Sequence, residues 1–244
     1  MHKLDRVPFA HNWVRNNDPE LAKMVKILVR FFDARIPITL GALQKLVRDR
    51  VVLRTDPHTL LSAAANHGHT KSRPYVLSAL DAFLEYEAEN RITAHPAFDE
   101  VIEPFRIGRG LKVPVQPTAV VARKAYFEPL FVFGWSTVKL SRFQRRLFMT
   151  AIEDAVFSLT DFRDAPCKVL FFPVVGTDHE GRPIRGREVW NRGDYDLLSE
   201  TEIRDQVDLY IRAVNMAKEI IARRSAPPPE HRPTAPDLPL FPGE

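Results

Sequence analysis

The sequence predicts an α+β or mixed α/β fold, with a helical N-terminal part, a small sheet with packed helices, and a disordered C-terminal tail. Three observations support this prediction. Apolar residues recur at helical spacing over the first hundred residues, runs of β-branched and aromatic residues begin near residue 110, and proline becomes abundant after Arg224. We expect one globular domain over residues 1–224, mainly helical over 1–105 and α/β over 106–224, and a proline-rich tail over 225–244.

Helices are predicted in three segments of the first hundred residues. The first, DPELAKMVKILVRFFDARI, places apolar side chains on one stripe, with Asp18 expected as the N-cap and Pro19 at the first helical position. A second, shorter helix is predicted for TLGALQKLVRDRVV and a third for RPYVLSALDAFLEYEAEN. The intervening stretch SAAANHGHTKSR is polar and predicts a loop.

Strands and helices alternate in the second half of the chain. Strands are predicted for LKVPVQPTAVVARKAY and PLFVFGWSTVKL, which are rich in β-branched and aromatic residues. Helical spacing returns in SRFQRRLFMTAIEDAVFSL, where Ser141 and Gln144 fit a capping box. A buried strand is predicted for CKVLFFPVV, a basic turn region for DHEGRPIRGREVWNRGD, and a final helix for SETEIRDQVDLYIRAVNMAKEIIARR, with Ser199 and Glu202 as a second capping box.

This order of elements over residues 75–175 is similar to the core of the restriction-endonuclease-like family. That family holds a divalent metal with an acidic residue on one strand and a Glu-x-Lys or Asp-x-Lys on the next. The matching strand here would carry Thr137, Val138 and Lys139, so the metal-binding carboxylate is missing, and Glu128 is out of step with Lys139. The resemblance therefore implies a non-catalytic relative.

Charge and cysteine content limit the classes of protein to which the chain could belong. The formal net charge is +4 with a pI near 9.3, a mild excess that favours anionic partners without identifying one. Cys167 is the sole cysteine and lies in an apolar run, so we expect a buried, inert thiol in a reducing cytoplasm. The sequence has no run of 18 apolar residues and does not begin like a secretory signal, so we expect a cytoplasmic protein without a membrane span.

Linear motifs for catalysis do not occur in the body of the chain. The sequence contains no phosphate-binding loop, no dinucleotide fingerprint and no G-x-S-x-G nucleophile elbow. His58, His67 and His69 form the densest group of histidines, but no carboxylate or cysteine completes a metal-ligand spacing. We therefore predict no catalytic residue, no metal and no cofactor.

Two groups of basic residues could contact an anion or nucleic acid. Lys139, Arg142, Arg145 and Arg146 crowd the start of a predicted helix, where the helix dipole favours acids rather than cations. An approaching anion would stabilise them, but pairing with Glu153, Asp154 or other acids of the same chain would do so equally. The second group, Arg182, Arg185 and Arg187, is open to the same two interpretations.

Near its end the tail carries a short, mostly apolar string, Asp237-Leu238-Pro239-Leu240-Phe241, after a proline-rich stretch. This string resembles the motif by which many bacterial proteins bind the ring-shaped DNA sliding clamp: Gln, Leu, Ser or Asp, Leu, Phe. Three of the five positions match, Asp237 replaces the usual glutamine, and Pro239 falls at a variable position. The resemblance implies that Leu238, Leu240 and Phe241 fill apolar pockets of the clamp.

A clamp ligand without chemistry of its own would occupy the cleft that polymerases and repair enzymes share. That profile resembles the clamp-blocking toxins of bacterial toxin–antitoxin pairs, which implies an antitoxin or proteolytic adaptor and an ATP-dependent protease as further partners. Two alternatives stay open. One is a DNA-binding repair or mobile-element factor that the clamp recruits, and the other is an enzyme whose site no linear motif reveals.

Overall fold

The computed structural model of the chain describes residues 4, 7–34, 41–67, 70–92, 101–108 and 110–225. The helices of these ranges are α1 (Ala10–Trp13), α2 (Leu21–Asp33), α3 (Gly41–Val51), α4 (Pro57–Ala65), α5 (Arg73–Asn90), α6 (Arg142–Ala155) and α7 (Glu200–Ser225). The strands are β1 (Glu103–Gly108), β2 (Leu111–Val115), β3 (Ala119–Ala122), β4 (Phe127–Phe133), β5 (Lys168–Phe171), β6 (Val174–Thr177), β7 (Pro183–Arg185) and β8 (Glu188–Asn191). The predicted mixed α and β fold is therefore confirmed.

A four-stranded sheet in the order β3-β4-β5-β8 forms the centre of the fold. β4 and β5 are parallel, with Leu130 opposite Lys168, and α6 lies between them in the chain. β3 and β8 are antiparallel to their neighbours. Two hairpins, β1-β2 and β6-β7, form separate two-stranded sheets.

Helices cover both faces of the central sheet. On one face, Phe131, Phe133 and Phe171 belong to a buried cluster with side chains from α1, α2, α6 and α7. On the other face, Leu130 and Leu170 belong to a second cluster with side chains from α3, α4 and α5. Because successive residues of a strand point to opposite faces, the nearly continuous apolar strands β4 and β5 supply both clusters.

Two helix starts differ from the sequence-based prediction. The N-cap of α2 is Glu20 and not Asp18, whose carboxylate instead accepts the backbone N–H of Glu20. The stretch predicted as a loop begins inside α4, which Asp56 caps by accepting the backbone N–H of Thr59. With Pro57 at the first position this is a regular helix start, so the prediction of a loop from Ser62 was wrong for the residues up to Ala65.

Strand predictions in the second half also need correction. β1 begins at Glu103, inside the part expected to be helical. The strand expected to carry Thr137 and Lys139 ends at Phe133, so both residues lie in the loop before α6. The stretch expected to be a basic turn region contains β7 and β8.

The two capping boxes are confirmed. The Ser141 side chain accepts the backbone N–H of Gln144, whose side-chain carbonyl accepts the backbone N–H of Ser141. At the start of α7, Ser199 and Glu202 exchange the same two bonds. α7 continues through Ser225, one residue into the segment assigned to the tail.

A buried network of amides ties α6 and α7 to the segment between α1 and α2. The Gln144 amide donates to the backbone oxygen of Asn17 at 2.8 Å. The Gln206 amide donates to the Asn17 side-chain oxygen at 3.1 Å, and Asn17 donates to the backbone oxygen of Trp13. Because buried amides are costly without partners, this network fixes how the N-terminal segment sits against both helices.

Candidate functional site

The five residues of the predicted clamp-binding string, Asp237, Leu238, Pro239, Leu240 and Phe241, lie outside the described residues. The structure does describe the helix from which the tail continues. α7 buries Val207, Tyr210, Ala213, Ala217 and Ile221 on one face, and it packs along α2. In its last turn the Arg224 guanidinium reaches the Asp33 carboxylate at 3.2 Å. The tail therefore begins at a fixed point on the surface of the body.

Arg145 of the first basic group is bound inside the fold. Its guanidinium donates to the backbone oxygen of Leu140 and, at 3.0 Å, to the Tyr195 hydroxyl. It lies 3.4 Å from the Glu188 carboxylate and packs over the Trp190 ring. These contacts pair its charge and use its Nε and Nη1 donors, so Arg145 has a structural role in this arrangement.

Arg146 is bound in the same way. It donates to the backbone oxygens of Asp196 and Leu197, and its guanidinium pairs with Glu202 at 3.1 Å. The backbone N–H of Ser199 and this guanidinium hold the pKa of Glu202 below its usual range. Arg146 thereby joins α6 to the start of α7.

Arg142 and Lys139 are the cations of this group that stay open to solvent. The Arg142 guanidinium is 3.5 Å from the Asp196 carboxylate, with side chains 83% and 81% exposed. Such a pair contributes little in water. Lys139 is exposed and forms no ion pair with any residue that the structure describes. An anion would therefore meet two cations here rather than the four that the sequence places together.

A cavity of about 430 Å³ opens beside this group. Its described lining includes Arg142, Arg145 and Tyr195, but also the carboxylates of Asp194 and Asp196. The acids offset the positive charge that the sequence alone indicates. Glu153 forms a bidentate pair with Arg192, and neither Glu153 nor Asp154 is in the described lining of the cavity.

We expect Arg145→Ala to lower the free energy of unfolding by about 2 kcal/mol, because Glu188 and Tyr195 lose a half-buried partner. Arg142→Ala should change it by less than about 0.5 kcal/mol, since its pair is exposed. Urea denaturation of both variants measures the difference. Equal losses would contradict this division of the basic group.

In the second basic group, Arg185 is bound inside the fold, and Arg182 and Arg187 pair with acids at the surface. Arg185 donates to Ser78 and to the backbone oxygens of Tyr75, Phe172 and Gly134, at 2.7–3.1 Å. Arg182 pairs with Asp178 on the surface of the β6-β7 hairpin. A pair with Glu89 of α5 holds Arg187. Arg185 is therefore a structural residue, whereas the Arg182 and Arg187 guanidinium groups stay at the surface, each beside an acid.

Glu128 is the buried carboxylate nearest to the position expected in a nuclease core. It is 3% exposed on β4, 3.0 Å from the Arg123 guanidinium and 3.8 Å from the Lys168 ammonium. These two cations neutralise it, and it is separated from the loop that carries Lys139 by the rest of β4. The arrangement matches an internal charge cluster rather than a metal-binding pair.

Metal-ligand groups are absent from the part of the chain that the structure describes: no three His, Cys, Asp or Glu side chains converge there. His58 is exposed on α4, His67 follows that helix, and His69 lies outside the described residues.

Cys167 is buried, as predicted, and burial raises the pKa of its thiol. Within the described ranges, no helix has the length and apolar character needed to cross a bilayer.

His11 is a titratable residue that the sequence analysis did not single out. Its ring packs against Phe133 and Trp135, with centroids 4.9 and 6.4 Å away, and its Nε2 lies 3.0 Å from the Asn12 amide. A neutral imidazole can accept from that amide. Burial, with a contribution from Arg15, lowers the pKa of His11 to about 4.

Because this pKa lies below the ordinary value of 6.5, folding favours the neutral ring. The resulting stability is complete above about pH 6.5 and is lost as the pH falls towards 4. We expect the native chain to lose about 2 kcal/mol more than His11→Phe between pH 7 and pH 4. Chemical denaturation at both pH values tests this, and parallel losses would show that His11 does not titrate with folding.

Comparison with known proteins identified no relative of this chain. No family model, no curated protein and no solved structure matches the chain.

Proposed function

We propose that the chain binds the bacterial DNA sliding clamp through residues 237–241 and blocks replication elongation by competing with other clamp ligands. The observation that carries this proposal is the string Asp237-Leu238-Pro239-Leu240-Phe241, placed after a proline-rich stretch near the end of the chain. Burying three apolar side chains would contribute roughly 1.5–3 kcal/mol each. The cost of ordering the peptide offsets part of this, so we expect affinity in the micromolar range.

Two features support the proposal, one of the structure and one of the sequence. The tail continues from α7, which packs along α2, so a tethered ligand would start from the folded body. The eleven residues 226–236 could extend about 34 Å if they take a polyproline-like conformation. That reach would let the string enter a cleft on a large ring without contact between the ring and the body.

Inhibition would follow from occupancy. A ligand that fills the shared cleft displaces polymerases once its concentration exceeds its dissociation constant, and it needs no chemistry to do so. Such a protein would be harmful unless a partner neutralised or degraded it. An antitoxin or adaptor and an ATP-dependent protease are therefore the further partners of this proposal.

Binding to an immobilised clamp tests the proposal directly. The full-length chain should bind with a dissociation constant of about 1–10 μM, and a peptide with the family's clamp-binding motif should displace it. Absence of binding up to about 100 μM, or binding that the peptide leaves unchanged, would contradict the proposal. A chain that binds only with added DNA, and only with Lys139 and Arg142 intact, would instead indicate the DNA-binding factor.

Asp237 occupies the position where the family has glutamine. We expect Asp237→Gln to tighten clamp binding about three- to tenfold, because an amide restores a neutral polar contact worth about 1 kcal/mol. Asp237→Ala, which removes the charge without adding a donor, is the matched control and should bind more weakly than Asp237→Gln. Titration of both variants onto the clamp measures the effect. Weaker binding by Asp237→Gln than by the native chain would show that the string does not sit as in the family.

A further inference from the structure

A groove lies beside the N-terminal half of α7. It has a volume of about 700 Å³, and its described lining consists of Pro19, Phe143 and six residues of α7: Glu202, Asp205, Gln206, Asp208, Leu209 and Arg212. Phe143 and Leu209 are half-buried and, with Pro19, give the groove its apolar part. Glu202 and Asp205 are exposed, Asp208 is half-buried, and Arg212 is the lining residue of α7 nearest to the C-terminus of the helix.

The length of the groove matches the length of the string. The lining residues of α7 run from Glu202 to Arg212, which is about 15 Å along a helix. Five residues in an extended, polyproline-like conformation span about 16 Å. Residues 237–241 could therefore lie along the whole groove.

The tail can reach this groove. Arg212 lies thirteen residues before Ser225, or about 20 Å back along α7. Residues 226–236 span up to about 34 Å, which leaves enough length for the chain to reverse its direction. The string would then run antiparallel to α7, starting beside Arg212 and ending towards Phe143.

The charges fit this direction. Asp237 would meet Arg212, which is exposed and forms no ion pair with the residues that the structure describes. Residues 238–243 carry no charge, so they would lie beside Glu202, Asp205 and Asp208 without repulsion, and the acidic Glu244 would lie beyond them. Leu238, Leu240 and Phe241 would cover the half-buried side chains of Leu209 and Phe143.

We propose that residues 237–241 dock in the groove formed by Pro19, Phe143 and α7 of the same chain when no clamp is bound. A short tether gives the docked segment an effective concentration of about 1 mM, so an intrinsic dissociation constant near 0.1 mM would keep it docked about 90% of the time. Clamp binding would then be about tenfold weaker than for an undocked tail. This regulatory consequence rests on the proposed function, but the docking itself does not.

Cysteine cross-linking in the full-length chain tests the docking. Pro239→Cys, at the variable position of the string, is combined with Asp205→Cys in the groove or with Glu219→Cys outside it. Both helix positions are exposed, and the native Cys167 is only 1% exposed, so the introduced pair dominates the reaction. Disulfide formation under mild oxidation is followed by the loss of free thiols and by gel mobility.

Comparison of the two pairs, with and without the apolar side chains of the string, reports the docking. Both positions lie within reach of the fourteen-residue tether, which spans up to about 43 Å if polyproline-like: Glu219 is about 9 Å and Asp205 about 30 Å from Ser225 along α7. We expect the Asp205 pair to form at least about tenfold faster than the Glu219 pair, and Leu240→Ala with Phe241→Ala to abolish that advantage. Equal rates, or a faster Glu219 pair, would overturn the docking.

Excess clamp separates the two proposals. If the tail both docks and binds the clamp, added clamp should slow formation of the Asp205 disulfide to the rate of the variant that lacks Leu240 and Phe241. If the Asp205 disulfide forms fast and added clamp does not slow its formation, the docking is supported and clamp binding is overturned. If the Asp205 disulfide forms slowly in a chain that does bind the clamp, only the docking is overturned.

Discussion

Leu240→Ala combined with Phe241→Ala should weaken clamp binding at least 100-fold. Each of these side chains is expected to fill an apolar pocket, and their burial together contributes roughly 3–6 kcal/mol, which is enough to remove micromolar binding. The substitutions lie in the tail, beyond the last described residue of α7, so the body should keep its thermal unfolding midpoint. Titration of the variant onto immobilised clamp measures the loss.

Pro239→Ala is the matched control for this result. It changes the same string at the variable position of the family pattern, so it should reduce affinity by no more than about threefold, largely by loosening the free peptide. A double variant that binds like the native chain would show that another surface makes the contact. A Pro239→Ala variant that loses binding as completely as the double variant would show that backbone shape, rather than the two apolar side chains, dominates.

Arg185→Met should destabilise the fold by about 3 kcal/mol, which corresponds to a fall of roughly 6–12 °C in the unfolding midpoint. The guanidinium is half-buried, and burial lowers its pKa to about 10, which leaves it charged near neutral pH. It joins α5 to the carboxyl ends of β4 and β5 through Tyr75, Gly134 and Phe172. Methionine fills similar space but leaves these backbone oxygens without their donor.

Arg182→Met on the same hairpin provides the comparison. Arg182 is 60% exposed and pairs with Asp178 and Glu180 on the surface, so its loss should leave the unfolding midpoint almost unchanged. Differential scanning calorimetry of both variants tests the contrast. If Arg185→Met were as stable as Arg182→Met, the hydrogen bonds of Arg185 would not contribute to the fold, and its role as an external cation would have to be reconsidered.

Sequence patterns predicted those elements whose signals are local. α5 and α7 have long runs of helical spacing, and the boxes at Ser141 and Ser199 place the starts of α6 and α7 within a residue. α4 was overlooked because Ser62 to Ala65 read as polar and small, although Asp56 and Pro57 mark its beginning. β7 and β8 are three and four residues long, and pairing decides them rather than their own composition: β7 pairs with β6 in a hairpin, and β8 pairs with β5 of the central sheet.

The partners of the basic residues could not be predicted, because they are far apart in the sequence. Arg145 meets Tyr195 fifty residues later, and Arg146 meets Glu202 fifty-six residues later. A cluster that looks cationic in the sequence is thus largely neutralised by folding. The clamp-binding string depends on five consecutive residues and needs no tertiary partner, so the sequence carries that hypothesis by itself.

Primer extension with a loaded clamp and its polymerase tests the central claim most directly. The native chain should arrest elongation with half-inhibition near its dissociation constant for the clamp, about 1–10 μM, and excess clamp should relieve the arrest. The chain with Leu240→Ala and Phe241→Ala should leave elongation unchanged. Arrest by both chains alike, or continued elongation when the native chain saturates the clamp, would contradict inhibition through the shared cleft.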